Sequence, residues 1–245
     1  MLLIAMVAMD VLYGLPFYSY IILALVYSLL LFWGSYYVGS NFYFNIICEA
    51  NTTKKQIALS FDDGPMDEFT PQVLNILKQH AAPAAFFCVG KRVVENPQLF
   101  KQVYEEGHLI GNHSFSHDTW FDLFSASKME SDLKAMDAAM AKVIGRRPKL
   151  FRPPYGVTNP NLKKAVIKRG YISVGWNIRS LDTVITDEQK LLAKVTKALK
   201  PGAVVLFHDT AKAIPAVLPA FITYARKQGY EIVRLDKLLN IEAYE

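Results

Sequence analysis

The first 50 residues contain no lysine or arginine, and Asp10 and Glu49 are the only acidic residues among them. A cleaved secretory signal peptide has a basic start and a small-residue cleavage site after its apolar core. This segment lacks the basic start, and no clear small-x-small site follows its apolar stretch. We therefore expect the segment to be retained rather than removed.

Cysteine is scarce, and basic residues are not clustered. The two cysteines, Cys48 and Cys88, suggest neither a disulfide framework nor a thiolate metal site. The 27 lysines and arginines against 22 acidic residues give a net charge of +5, which is typical of a solvated surface. They form no run with interleaved aromatic residues, as nucleic-acid binding requires, so we expect no nucleic-acid partner.

Residues 17–38 form an uncharged apolar run of about 22 residues, which is long enough to span a bilayer. Aromatic residues lie near its two ends, as they do at membrane interfaces, and these are Tyr18, Tyr20, Trp33, Tyr36 and Tyr37. Residues 1–50 are therefore predicted to be a membrane anchor. The short apolar stretch 1–13 is either a second span or an interfacial helix. The number of spans and the side that carries the remaining domain stay open.

From residue 51 to residue 245, short apolar runs alternate with amphipathic stretches, which predicts parallel β/α units in one domain. The predicted strands are 57–61, 84–89, 108–111, 150–151, 171–174, 203–207 and 231–233. The predicted helices are 71–79, 97–105, 127–143, 161–168, 187–199 and 215–227. Such units form either a barrel-like or an open doubly wound α/β domain, and both gather their chemistry at the carboxyl ends of strands.

Polar residues lie at these predicted strand ends, far apart in sequence but able to converge in space. They are Asp62, Asp63, His113, Arg152, Asp182 and His208. Each has an ordinary explanation as well: adjacent acids before Gly-Pro are typical turn formers, and a single histidine is often structural. We predict that these residues share one pocket.

Metal binding is one chemistry that these residue types support. His113 and His117 are four residues apart, which on a helical turn places both imidazoles on one side. Adjacent carboxylates point in different directions, so one of Asp62 and Asp63 can bind a metal while the other acts as a base. Two histidines and one aspartate form a three-ligand site of the zinc type, although the same set suits non-haem iron.

Two later residues could complete such a site. His208 follows an apolar strand, where a general acid would lie. Arg152 begins a proline-stiffened loop and could pair with a carboxylate through two hydrogen bonds.

These segments, in this order, closely resemble the polysaccharide deacetylase family, also called the NodB-homology domain or carbohydrate esterase family 4. The family's first motif, T-F-D-D-G-P, appears as Ser60–Pro65, and its second, H-[ST]-x-x-H, as His113–His117. The third, R-x-P-[YF]-G, is met by Arg152–Gly156, and the fifth, L-x-H, by Leu206–His208. The resemblance covers about residues 57–239 and implies a distorted (β/α) barrel with about seven strands.

The resemblance implies a metal-dependent hydrolase that removes N-acetyl groups from amino sugars of a poly- or oligosaccharide. Asp63, His113 and His117 would hold a divalent metal, with zinc expected first and Co²⁺, Ni²⁺ or Mn²⁺ as alternatives. A glycan would be the substrate, and the cytoplasmic membrane of a bacterium the expected location.

The resemblance also implies roles for the other site residues. Asp62 would be the general base, paired with Arg152, and His208 the general acid. The Tyr155 N–H would help to bind the oxyanion. The implied substrate-binding residues are Tyr155, Pro154, Trp176 and Leu206.

The fourth motif departs from the family pattern W-x-x-D-x-x-D-W. Residues 176–183 place Arg179 at the first Asp and Thr183 at the final Trp. Asp182 is retained, and the resemblance implies that it orients His208. Arg179 puts a positive charge where an acid would help to position Arg152. The sequence therefore does not determine which acids pair with Arg152 or which aromatic residue contacts the substrate.

Three alternatives to the main interpretation remain. The same site could hydrolyse a cyclic imide or a formamide, or the protein could be a catalytically silent glycan-binding member, for which only the altered fourth motif speaks. A glycosidase using Asp62 and Asp182 would leave the paired histidines unexplained. The sugar is also open: peptidoglycan N-acetylglucosamine, N-acetylmuramic acid, chitooligosaccharides and lipid-linked glycans all fit. Oligomeric state is not predicted.

Overall fold

The computed structural model describes residues 2–245, in which a parallel sheet curls into a half-barrel surrounded by helices. The strands are β1 (Gln56–Asp62), β2 (Ala84–Cys88), β3 (Leu109–Asn112), β4 (Leu150–Phe151), β5 (Ile172–Ser173), β6 (Ile178–Arg179), β7 (Val204–His208) and β8 (Glu231–Ile232). Their order is β5-β4-β3-β2-β1-β7-β6, and β8 pairs with the start of β1. The predicted fold class is therefore confirmed.

Ten α-helices occur within residues 2–245. They are α1 (Leu2–Tyr13), α2 (Tyr18–Tyr36), α3 (Thr70–Gln79), α4 (Gly90–Glu95), α5 (Pro97–Glu105), α6 (Ala126–Ile144), α7 (Pro160–Arg169), α8 (Glu188–Lys197), α9 (Ile214–Lys227) and α10 (Leu235–Leu239). Local sequence sets several of their ends. The Asn159 side chain accepts a hydrogen bond from the Leu162 N–H at 2.8 Å, Pro160 opens α7, and Gly170 closes it at φ 71°.

All seven predicted strands and all six predicted helices are present, with ends displaced by a few residues. Among the strands and α-helices of residues 2–245, three were not predicted: the two-residue strand β6 and the short helices α4 and α10. Elements this short contain too few residues to show a period of 2 or 3.6 in their apolar pattern. Asp62 and His208 are the last residues of β1 and β7, whereas the prediction placed them just after those strands.

Stacked aromatic rings fill the core around β1, which is buried along almost its whole length. The Phe61 ring lies 5.0 Å from Phe86 and 5.9 Å from Phe207, and Phe207 lies 5.6 Å from Phe221 of α9. A strand buried on both faces is typical of parallel sheets covered by helices. The rings thus fix the two central strands against each other and against α9.

The segment before β1 closes the gap between the two ends of the curled sheet. Ile47 forms a parallel bridge with Val174, and Glu49 forms an antiparallel bridge with Ala203. The Ala50 N–H also donates to the Gly202 carbonyl at 2.9 Å. Residues 47–50 therefore pair with the sheet, although the predicted boundary at residue 50 assigns them to the anchor.

Helix α2 is 19 residues long, about 28 Å at 1.5 Å per residue. It is long and apolar enough to cross a membrane, with a mean hydropathy of 1.6 and 6% of its apolar window buried. In residues 2–245 it is the one helix that meets this criterion. Helix α1 has 12 residues, fewer than a span requires. The Tyr20 hydroxyl donates to Asp10 at 2.7 Å and ties α1 to α2.

The end of α2 is attached directly to the domain. The Thr158 N–H donates to the Ser35 carbonyl at 2.9 Å, and the Thr158 hydroxyl donates to the Gly34 carbonyl at 3.2 Å. Gly34 is the buried residue of this helix, and a Cβ there would lie 2.5 Å from the Phe42 ring. Only glycine therefore permits this close approach.

Replacing Phe207 by Ala should lower the free energy of unfolding by about 3–5 kcal/mol, because the change removes a buried ring from the stack and leaves a cavity. Chemical unfolding of the full chain in detergent micelles, followed by circular dichroism, measures this. Tyr224→Ala on α9, where the side chain is 39% exposed, is the matched control. Equal effects of the two changes would contradict the assigned core.

Candidate active site

The central strands place an acid and a histidine side by side. Asp62 and His208 are register partners at the ends of β1 and β7. The two strands are parallel neighbours, so both side chains start from the same edge of the sheet. Their main chains lie about 4.8 Å apart there. Asp63 follows at this edge with φ 79°. The carboxyl edge of the two central strands thus holds both members of the acid pair and the late histidine.

Asp63, His113 and His117 form a compact cluster of metal-ligand type. One ligand atom from each lies within 4.8 Å of the other two. The Asp63 Oδ1 atom is 3.6 Å from His113 Nε2 and 3.2 Å from His117 Nε2. Burial lowers the pKa of His113 to about 3, so its ring is neutral, as a metal ligand must be.

The His113 ring is oriented by the main chain at Arg152. Its Nδ1 atom lies 2.9 Å from the Arg152 carbonyl oxygen, which only accepts hydrogen bonds. The proton therefore belongs on Nδ1, and the Nε2 lone pair faces Asp63. A carbonyl behind a histidine is the arrangement that fixes ring tautomer and direction in metal sites.

The loop that carries the two histidines is held by polar side chains that the sequence analysis did not identify. The Asp132 Oδ1 atom accepts the N–H groups of Phe115 and Ser116 at 2.7 and 3.3 Å. Asn112 Oδ1 accepts the Ser114 N–H at 2.8 Å. Asp132 lies on α6, and no spacing pattern links it to the histidine loop. For Asn112, the only sign in the sequence of a role at the site is its position directly before His113.

Arg152 is wholly buried beneath Asp62, and each of its guanidinium nitrogens has an acceptor. The acceptors are the Val174 carbonyl at 3.1 Å, the Gly175 carbonyl at 2.8 Å, the Ser60 hydroxyl at 2.9 Å and Asp62 Oδ1 at 2.7 Å. The guanidinium also lies 3.9 Å from the centroid of the Phe87 ring. Removing one partner of such a buried pair costs about 3–5 kcal/mol.

The altered fourth motif leaves this arrangement intact. Two main-chain carbonyls hold Arg152, so no acid at position 179 is required to position it. The Arg179 guanidinium is 5.8 Å from the Trp176 ring centroid, on an exposed residue. Arg179 therefore lies outside the Arg152–Asp62 pair.

Burial and charge act in opposite directions on Asp62. Complete burial raises the pKa of the Asp62 carboxyl above its usual value, and the Arg152 cation opposes that rise. A carboxylate with a raised pKa accepts protons more readily, as a general base at neutral pH should.

Asp182 forms a second acid–histidine pair with His208. Its Oδ1 atom lies 2.7 Å from His208 Nδ1, and its Oδ2 atom accepts the His208 N–H at 2.7 Å. Burial lowers the pKa of His208, but the hydrogen bond and charge of Asp182 outweigh it and raise the pKa to about 9. The ring is thus positively charged at neutral pH and has a proton to donate.

The predicted substrate-binding residues differ in exposure. Tyr155 is 43% exposed, and its ring packs edge-on against His117 at 4.7 Å. Trp176 packs against Gly156, where an added Cβ would lie 2.6 Å from the indole. Pro154 and Leu206 are buried, and Leu206 exposes 2% of its surface. A direct substrate contact by these two residues stays a prediction.

Asp209 is a buried acid at the site that the sequence analysis did not single out. Its carboxylate accepts the Gly64 N–H at 2.9 Å and the Thr70 hydroxyl at 2.6 Å. Burial raises the pKa of Asp209 to about 7. Asp209 thus connects the turn after Asp63 to the start of α3. In the sequence, only its position beside His208 indicates that it belongs to the site.

Two cavities are lined by residues of the fourth motif, and neither is lined by Asp63, His113 or His117. One, of about 660 Å³, lies between the end of α2 and residues Trp176, Arg179 and Lys200. The other, of about 500 Å³, is lined by Asp182, Thr183 and Lys212 among others. We place the chemistry at the cluster, because the converging donor groups and shifted pKa values lie there.

Comparison with known proteins agrees with this geometry. The profile of the family described as "Polysaccharide deacetylase" matches residues 49–174. The chain belongs to this family. A peptidoglycan-N-acetylglucosamine deacetylase of Bacillus cereus is 38% identical over 200 residues, which cover 78% of this chain and 91% of the relative. The deacetylases of this family use a divalent metal.

Solved structures of family members have the same fold. The Bc1960 peptidoglycan N-acetylglucosamine deacetylase superposes with a TM-score of 0.78 at 27% identity, covering 82% of this chain and 95% of that chain. A pseudoenzyme of carbohydrate esterase family 4 from Bacillus anthracis superposes with a TM-score of 0.73 at 25% identity, covering 79% of this chain and 68% of that chain. The polysaccharide deacetylase family thus includes inactive members as well as enzymes.

Replacing Asp182 by Asn should lower the pKa of His208 from about 9 toward the ordinary 6.5, because burial then acts with less opposition. A titration of the His208 ring by NMR measures this directly. Asp187→Asn, which alters the exposed N-cap of α8, should leave the His208 titration unchanged.

The same pKa has a consequence for stability. Between pH 6.5 and about 9, folded His208 keeps a proton that the unfolded chain releases, so stability should fall as the pH rises through this window. Asp182→Asn should flatten this fall. An unaltered slope would show that the carboxylate does not hold the His208 proton.

Proposed function

We propose that this protein is a membrane-anchored, metal-dependent N-deacetylase of amino sugars in a bacterial envelope glycan. One observation carries the proposal: Asp63 lies within reach of both His113 and His117, while Asp62 and His208 end adjacent strands at the same edge. This arrangement separates a metal-ligand set from a base and an acid. Metal-assisted hydrolysis of an amide uses all three.

The residues present suit a divalent metal. One carboxylate and two imidazoles converge, and the His113 ring is already oriented by the Arg152 carbonyl. Asp63, His113 and His117 would hold the ion, with zinc proposed first because this donor set with open positions is typical of catalytic zinc. When bound, the ion would polarise the amide carbonyl and lower the pKa of a water molecule beside it.

The remaining residues supply the proton transfers. Asp62, held by Arg152 at 2.7 Å, takes a proton from the attacking water as its oxygen bonds to the acetyl carbon. The Tyr155 N–H stabilises the negative oxygen that develops on this carbon. His208 gives its proton to the sugar nitrogen as the carbon–nitrogen bond breaks, which releases acetate and leaves an amine. Asp182 keeps His208 protonated and oriented until that step.

Support for a peptidoglycan substrate comes from the relatives. The Bacillus cereus relative at 38% identity is a peptidoglycan-N-acetylglucosamine deacetylase by name. We propose the same substrate class here. N-acetylmuramic acid and chitooligosaccharides are the alternatives in an acetate-release screen of the full chain in detergent, with and without a metal chelator.

Support for membrane attachment comes from α2. This helix of 19 residues is uncharged, and its apolar side chains are largely exposed. Exposure of so large an apolar surface to water is unfavourable and is typical of a membrane-contacting segment. We propose that residues 1–50 anchor the domain in the cytoplasmic membrane and that residues 51–245 form the catalytic domain, with residues 47–50 of the anchor segment pairing with its sheet.

Asp62→Asn should reduce acetate release by at least about 100-fold, because a general base contributes at least that factor. It should leave bound metal unchanged, since Asp63 and the histidines remain. Asp63→Asn and His117→Ala should lose both metal and activity. Metal analysis of the purified full chain and acetate release from N-acetylated oligosaccharides measure the two effects, with the exposed Glu68→Gln as control.

Near-normal hydrolysis by Asp62→Asn would mean that the assigned base is wrong. Metal binding without acetate release from any glycan would instead favour the silent, glycan-binding alternative.

A further inference from the structure

A turn beside the candidate active site exposes two large apolar side chains. Trp120 is 67% exposed and Leu123 is 75% exposed. Both lie between His117 and α6, and Leu123 ends the short helical turn Phe121–Leu123. We call these two side chains the turn patch. Single exposed apolar residues are ordinary, whereas neighbouring large ones form an apolar patch, a feature that marks interaction or membrane sites as it grows.

The turn patch is held outward by rigid local structure. Phe121, between the two residues, is fully buried among Phe124, Phe151 and Leu162. The Trp120 N–H donates to Asp118 Oδ1 at 2.7 Å, and the Leu123 N–H donates to the Trp120 carbonyl at 2.9 Å. The exposed side chains are therefore fixed on the surface by the burial of their neighbour.

Direct contacts connect this turn to the end of the membrane helix. The Asn159 side chain donates to the Asp122 carbonyl at 2.8 Å. The preceding residue, Thr158, donates its N–H to the Ser35 carbonyl in the last turn of α2 at 2.9 Å. Thr158 and Asn159 thus link the turn that carries the patch to the end of α2.

We infer that the turn patch lies in the membrane–water interface beside the end of α2, so that the active-site edge faces the bilayer surface. The inference rests on the proposed membrane anchor and extends it from the helix to the catalytic domain. Tryptophan is enriched at this interface, and Trp33 and Tyr36 near the end of α2 are exposed in the same way.

The turn patch binds the region between headgroups and acyl chains through its apolar side chains, and it does not bind an anionic headgroup. Asp118 and Asp122 lie in the same turn, and their negative charges would oppose attraction to anionic lipid. Interfacial binding of such a surface scales with the apolar area that it buries. Uncharged phosphatidylcholine bilayers should therefore suffice.

Fluorescence quenching by brominated lipid tests the placement. The full chain is inserted into phosphatidylcholine nanodiscs whose acyl chains carry bromine close to the headgroups. Trp33→Phe leaves Trp120 and Trp176, and the double change Trp33→Phe with Trp120→Phe leaves Trp176 alone. The single variant should be quenched at least about twofold more strongly than the double variant, because interfacial indoles lie at this depth.

A matched pair of changes tests the second side chain. Leu123→Ser in the Trp33→Phe background should weaken the quenching. Ile167→Ser should not, because Ile167 is 63% exposed near the end of α7 that points away from the carboxyl edge.

The possible failures are distinguishable. If the wild type is quenched no more than Trp33→Phe, α2 is not embedded, and the proposed anchor is wrong. If Trp33 is quenched but the single and double variants are alike, the anchor stands and the interfacial placement of the turn patch is overturned.

Discussion

The burial of one arginine organises the candidate site. Arg152 has no contact with solvent, and its guanidinium joins β1, through Ser60 and Asp62, to the main chain that follows β5. A charge removed from water is tolerated only where every donor is satisfied, so the surrounding carbonyls and hydroxyl must stay in place. Any movement of these strands would leave an unpaired buried cation, and this penalty keeps the site rigid.

The same residue also connects the two halves of the chemistry. Its side chain fixes Asp62, while its backbone carbonyl orients the His113 ring. The metal-ligand cluster and Asp62, the proposed base, therefore share one support. Strained backbone surrounds it, since Asp63, His117 and Tyr155 have φ values of 79°, 43° and 58°. Such conformations persist where the neighbouring structure over-determines them, which is common at active sites.

The sequence was sufficient for most of the fold because alternating apolar runs identify each buried strand and each amphipathic helix. It failed for β6, α4 and α10, which are too short to show a period in their apolar pattern. At the site, residues with distinctive chemistry and spacing could be singled out. Asp132 and Asp209 could not, because an acid that caps a backbone loop resembles any surface acid until the loop is folded. The hydrogen-bond partners of Arg152 could not be predicted for a related reason. Its acceptors at Val174 and Gly175 are main-chain carbonyls, and a sequence motif identifies only side chains.

The two hydrogen bonds from Thr158 to the last turn of α2 have a consequence for where the protein can act. A domain joined to its anchor by a long flexible linker samples a volume that grows with linker length. Here no such tether separates the helix from the half-barrel in the described chain, since Val38 and Ile46 are buried and residues 47–50 pair with the sheet. The working distance is then set by the size of the domain itself, with a radius of gyration of roughly 16 Å for about 195 residues. With α2 in a bilayer, only glycan strands passing within a few nanometres of the lipid would come within reach, and layers farther out would be left unmodified.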